Sequence, residues 1–125
     1  MPNKQKESNA ADFRHISAPK TALYCRSARQ SDHAIGTQKE WLMRFANQTG
    51  HTNLKWYIDN GGDGLTLNRP AMNTLMEDIE SGTVATVAVT SVDRISRSLV
   101  VLAEWMRFLD THDVRYCAVD SGEND

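Results

Sequence analysis

The sequence predicts an α/β fold of the three-layer α-β-α kind, built on a central, mostly parallel sheet. Three observations predict it. Short apolar runs of strand length alternate with stretches whose apolar residues recur at three- and four-residue steps, so the order reads β-α-β-α-β-α-β. The run VATVAVT at 84–90 is β-branched and apolar along nearly its whole length, as a strand covered on both faces must be. Proline and glycine stand where helices start and stop. Parallel strands joined by helices require right-handed crossovers, which place helices on both faces of the sheet.

Residues 21–26, TALYCR, make the first strand, after which the chain turns polar. Ile35, Gln38, Leu42, Phe45 and Ala46 share one helical face, and Gly50 supplies a left-handed stop. Residues 54–58 form the second strand and run into Asp59. The following NGGDG is a loop, because its closely spaced glycines forfeit regular structure. Pro70 fits the first turn of a second helix whose face is Met72, Leu75, Met76 and Ile79, and Gly82 ends it. After the third strand at 84–90, which belongs in the middle of the sheet, Leu99, Leu102, Ala103, Met106 and Leu109 mark a third helical stripe. Trp105 and Phe108 fall off that stripe and are expected to cover an interface. Residues 114–119 return to strand character.

A chain of 125 residues fits one domain, expected over 21–120, between a polar, disordered leader at 1–20 and a short tail at 121–125. The leader has no apolar core to act as a signal peptide, and no run in the chain has membrane-spanning length. Cys25 and Cys117 lack C-x-x-C spacing and read as small buried hydrophobes of a reducing, cytoplasmic compartment. Over residues 21–125 there are 10 Lys and Arg against 14 Asp and Glu, a net charge of −4. The domain is therefore no bulk nucleic-acid binder, and any such contact is local. His15, His33, His51 and His112 show no metal-ligand spacing. DNGGDG is not a calcium loop, since Gly61 replaces an oxygen ligand and Pro70 stands where the bidentate glutamate belongs, and a nucleotide-binding glycine motif is missing.

In folds of this class the working residues gather at the carboxyl ends of the strands. Three polar clusters fall there: Tyr24, Arg26, Ser27 and Arg29 after the first strand, residues 59–64 with Arg69 after the second, and Ser91, Asp93, Arg94 and Arg97 after the third. Arg26, Arg69, Arg94 and Arg97 would concentrate planar, permanently charged forks on one rim of an otherwise acidic domain. Such forks suit phosphate oxygens, and a phosphodiester is the anion expected.

The segments YCRSA, IGTQKE, YIDNGGDGLTLNRPAM and VDRISRS, taken in order, resemble the motif series of the serine recombinases of the resolvase and invertase type, above all the catalytic domains of the large integrase-like branch. The resemblance implies a resolvase-like catalytic domain that cuts DNA through a serine, forming a covalent 5′-phosphoserine link later displaced by a 3′-hydroxyl, with no metal or nucleotide cofactor. It implies that Arg26, Arg69, Arg94 and Arg97 hold the scissile phosphate and that Gln38, Asp59 and Asp93 support that site. It also implies DNA as substrate, held weakly without a further DNA-binding domain, and partner recombinase subunits or copies of the same chain. The long dimerising helix and DNA-binding domain that follow in the family are expected to be missing here.

The pattern puts tyrosine, arginine and serine at the first, third and fifth positions, and here the fifth is Ala28, which cannot act as a nucleophile. Ser27 lies one place early, and in extended backbone one residue turns a side chain to the opposite face. It serves only if the strand has already broken into a turn there. Asp63 in place of serine, Asn68 in place of aspartate and Ser91 in place of lysine are further departures. The first adds negative charge near an anion pocket and the last removes positive charge. The alternatives are a silent recombinase-like domain acting through protein association, and a flavodoxin-like module binding a small phosphate compound.

Overall fold

The structure, a computed structural model, describes residues 18–119. The expected tail at 121–125 and all but the last three residues of the expected leader lie outside the described residues. Lys20, placed in the leader by its composition, is instead the first strand residue, its N–H donating to the Thr83 carbonyl at 2.8 Å.

The chain runs β1 (Lys20–Ser27), α1 (Asp32–Thr49), β2 (Leu54–Asn60), α2 (Pro70–Glu80), β3 (Val84–Val89), a 3₁₀ turn (Val92–Arg94), α3 (Leu99–Thr111) and β4 (Arg115–Ala118). All four strands are parallel, in the order β2-β1-β3-β4. The predicted α/β architecture is thus the observed one, and β3 is an interior strand. Local chemistry sets the helix ends. Ser31 caps α1 by accepting from the Ala34 N–H at 3.1 Å, and Gly50, at φ 77°, ends it in the left-handed conformation that costs glycine nothing. Ser98 caps α3 through the Val101 N–H. Arg69, at the cap position of α2, gives no side-chain bond, and Pro70 begins that helix without an N–H to satisfy.

Because β2 lies on one side of β1 and β3 and β4 on the other, right-handed crossovers send α1 to one face of the sheet and α2 and α3 to the other. The two apolar cores follow. Ala22 and Tyr24 of β1 join Met72, Leu75, Ile79, Val87 and Leu109 under the two helices, while Leu23 and Cys25 meet Ile35, Leu42 and Ala88 under α1. Burial pushes the Cys25 thiol up to about 12, in keeping with a small buried hydrophobe rather than a reactive group. Among the described residues no helix is long and apolar enough to cross a membrane.

Helix α3 departs from the sequence reading. Trp105 is fully buried and Phe108 partly so, whereas Leu99, Ala103 and Met106 of the expected stripe face solvent, Leu99 at 84% exposure. Both stripes pass through Leu102 and Leu109, so periodicity alone admits either rotation. The larger area of the indole decides between them, with Trp105 set edge-on to Tyr116 at 6.2 Å and stacked with Phe108 at 6.4 Å. Trp105→Ala is expected to lower the unfolding free energy in urea by about 3–5 kcal/mol. Met106→Ala is expected to change it by no more than about 0.5 kcal/mol.

Candidate active site at the carboxyl end of the sheet

The register of β1 on β2 pairs Arg26 with Asp59 and Ser27 with Asn60. Side chains alternate along a strand, so Arg26 and Asp59 fall on the same face as Tyr24 and Tyr57, under α2 and α3. Ser27 and Asn60 fall on the face of Cys25 and Ile58, under α1. Asp59 is buried and fully used. It accepts from the Tyr24 hydroxyl at 2.7 Å and from the N–H groups of Ala71 and Met72 at 2.8 and 3.0 Å, supplying from the neighbouring strand the cap that Arg69 does not give. A carboxylate at that end of α2 also meets the positive pole of the helix. Its other neighbour is Arg69, whose Nε lies 3.9 Å from Oδ2. Burial, above all, lifts the Tyr24 hydroxyl far above the usual phenol range, so it remains a donor to Asp59.

Arg26, Arg69 and Arg94 meet as the sequence predicts, but their partners are backbone carbonyls rather than open space. Arg26 donates from Nε to Arg94 O at 2.9 Å, from Nη1 to Gly62 O at 2.8 Å and from Nη2 to Asp93 O at 2.6 Å. Arg69 donates from Nη1 to Asp63 O at 2.8 Å and from Nη2 to Ile95 O at 2.6 Å. Arg94 reaches Arg26 O at 3.3 Å. The physical reason is that the loops at 61–64 and 91–96 have no ladder of their own, and their inward carbonyls need donors. Arg26 and Arg69 are only 3% and 2% exposed. Burial first, and then the nearby charge of Arg69, lowers the pKa of Arg26. The Nε atoms of Arg69 and Arg94 are buried with no hydrogen-bond partner among the described residues. Arg97 does not join the cluster: its side chain is exposed, and its backbone N–H donates to Gly64 O at 2.9 Å.

Glycine is required where the loop presses on these side chains. A Cβ at Gly64 would lie 2.9 Å from Arg26 Nη2, and one at Gly62 would lie 3.0 Å from Arg69 Cδ. Gln38 works from α1. The pairing of β1 with β3 ends at Leu23, whereas pairing with β2 continues to Ser27, and the Gln38 amide takes the place of a strand by accepting from Arg26 N at 3.1 Å and donating to Arg26 O at 2.9 Å.

Ser27 is committed to the opposite face. Its Oγ donates to Asn60 Oδ1 at 3.0 Å, and its carbonyl accepts from the N–H groups of Gly61 and Gly62. Asn60 in turn accepts from Ser31 N at 2.7 Å and donates to Asp32 at 2.9 Å, tying the β1–α1 loop to the β2–α2 loop. The strand has not broken at Ser27, and the hydroxyl stays on the side away from Arg26. Ala28, the next residue, is exposed. Asp93 is exposed, with its carboxylate accepting from Ser91 Oγ at 2.5 Å, and only its carbonyl meets Arg26. Asp63 is exposed and turns its carboxylate to Leu65 N at 2.9 Å, within its own loop. Asn60 fell within the expected cluster at 59–64 without a role of its own, and Ser96, which donates to Gly64 O at 2.8 Å, escaped the sequence reading. The only signal was their position beside Asp59 and within DRISRS.

The sequence model of the family described as "Resolvase, N terminal domain" matches residues 21–125. The chain belongs to this family. As a resolvase-family domain it is a recombinase catalytic module, and neither a domain acting through protein association alone nor a flavodoxin-like module is favoured. It is similar to the N-terminal catalytic domain of TP901-1 integrase, at 28% identity and a TM-score of 0.74, covering 82% of this chain and 79% of that one. It also resembles a resolvase family site-specific recombinase from Streptococcus pneumoniae, at 25% identity and a TM-score of 0.70, with 82% and 74% covered. The C-terminal catalytic domain of ISC1926 TnpA, an IS607-like serine recombinase, shares the fold at 20% identity and a TM-score of 0.71, with 78% and 65% covered. No curated protein matches the sequence.

Gln38→Ala leaves Arg26 N without its partner and Arg26 O with only the longer bond from Arg94. It is expected to cost about 1–3 kcal/mol of stability, the cost of one buried group left unsatisfied. Faster amide hydrogen exchange at Arg26 is the local readout.

Proposed function

We propose that this resolvase-family domain holds a DNA backbone phosphate at the cluster of Arg26, Arg69 and Arg94, with the exposed Arg97 outside it, within a recombinase assembly, and that its own site does not form the phosphoserine link. One observation carries the second half: the only serine beside the motif, Ser27, has its hydroxyl on the α1 face, bonded to Asn60, while Ala28 offers a methyl group. The one hydroxyl of this segment on the arginine side, that of Tyr24, is held by Asp59, so no serine there is placed to attack phosphorus.

The remaining parts are those that would stabilise such a reaction. Guanidinium groups in a water-poor pocket lower the energy of charge developing on phosphoryl oxygens, a role that needs positioning rather than covalent chemistry. Asp59 and Tyr24 position Arg69 and the start of α2, and Gln38 fixes the backbone of Arg26. Asp93 supports the rim through its carbonyl. DNA affinity of the isolated domain is weak on this reading, because the folded part is acidic and few cations are free to contact phosphates. Copies of the chain or other recombinase subunits are the partners proposed.

The test is covalent attachment to DNA. With a DNA-binding domain appended, the unaltered chain is expected to give no protein–DNA adduct and Ala28→Ser to give one on gels under denaturing conditions. An adduct from the unaltered chain that disappears with Ser27→Ala would overturn the reading.

A further inference from the structure

The arginine cluster holds more buried positive charge than its surroundings balance. Arg26 and Arg69 are both almost wholly inside; the carboxylate beside Arg69, Asp59, is already shared between Tyr24 and the start of α2, and the one whose charge favours Arg26, Asp93, is itself exposed. Every donor nitrogen of Arg26 and both terminal nitrogens of Arg69 are engaged by carbonyls of Gly62, Asp63, Asp93, Arg94 and Ile95. Neutral carbonyls satisfy donors without neutralising charge, so the pocket retains an unmet demand for an anion. The like charges of Arg69 and Arg94, together with burial, already act against the charged form of Arg26.

We propose that the Gly61–Gly64 segment is a strap that withholds Arg26 and Arg69 from anions, so that a phosphate reaches them only by displacing its carbonyls. The inference rests on reading the rim as a phosphate site and adds that this site is closed in the free domain. The strap is held at few points. Gly64 O accepts from Ser96 Oγ and Arg97 N, and Gly61 N and Gly62 N donate to Ser27 O. It can lie this close only because residues 62 and 64 lack side chains. Gly61, at φ 99°, holds a backbone conformation that other residues rarely adopt. Arg97, outside the strap, is the cation an approaching anion meets first, and its backbone bond to Gly64 O links that encounter to the strap.

The experiment is a titration of the whole chain with inorganic phosphate, following the Nε–Hε signals of its arginines by NMR. In the unaltered chain the Arg97 signal is expected to move while those of Arg26 and Arg69 do not. Gly64→Ala, which places a methyl against Arg26, and Ser96→Ala, which removes one anchor of the strap without adding atoms, are each expected to bring the Arg26 signal into the titration and to tighten phosphate binding about tenfold, roughly 1.4 kcal/mol. The proposal is overturned if Arg26 and Arg69 respond together with Arg97 in the unaltered chain, or if the folded variants bind phosphate no better. It is equally overturned if both variants unfold, since the segment is then a structural staple and not a gate. DNA cleavage is not read, so an inactive Ala28→Ser protein would count against the functional reading and leave this result standing.

Discussion

Two guanidinium groups buried among peptide carbonyls hold the carboxyl end of this sheet together. Arg26 comes from the end of β1 and Arg69 from the start of α2, yet their donors fall on the same two loops, at 62–63 and 93–95. Without them the Ile95 carbonyl would be buried and unpaired, and the other four, partly buried, would lose their donors. The same groups give the rim its positive charge. On the proposed function, structural support and anion binding reside in one set of atoms, and the two uses compete for the same hydrogens.

The alternation of β1 divides the labour. Tyr24 and Arg26 face α2 and α3, and Cys25 and Ser27 face α1. On the first face a chain of contacts runs from the Tyr24 hydroxyl to Asp59, from Asp59 to the start of α2, and on to Arg69. On the second, Ser27 and Asn60 bind two loops to each other. Ser27 therefore cannot present its hydroxyl where a side chain at position 28 would lie, because shifting one residue along extended backbone changes the face.

Within the resolvase family fold, the order of elements and the parallel sheet were legible from the alternating periods of the sequence, and Val84–Val89 announced an interior strand by its composition. The meeting of Arg26, Arg69 and Arg94 was legible from their places at strand ends. What those arginines bond to was not, since carbonyl oxygens carry no side-chain signature and any residue in the loops would have supplied them. The rotation of α3 was likewise hidden: two apolar stripes share Leu102 and Leu109, and the choice depended on which side chain filled the space beside Tyr116.

The sequence by itself determined the strand and helix order, the right-handed layering that follows from it, the family motifs and an alanine at position 28, because each of these is a property of spacing and residue type. Tertiary structure alone decided that Arg97 stays in solvent while Arg26 and Arg69 are enclosed, that Asp59 caps a helix from a neighbouring strand, and that Gln38 stands in for a strand at Arg26. These outcomes depend on distances between segments far apart in the chain, and such distances are fixed only when the two cores pack against the sheet.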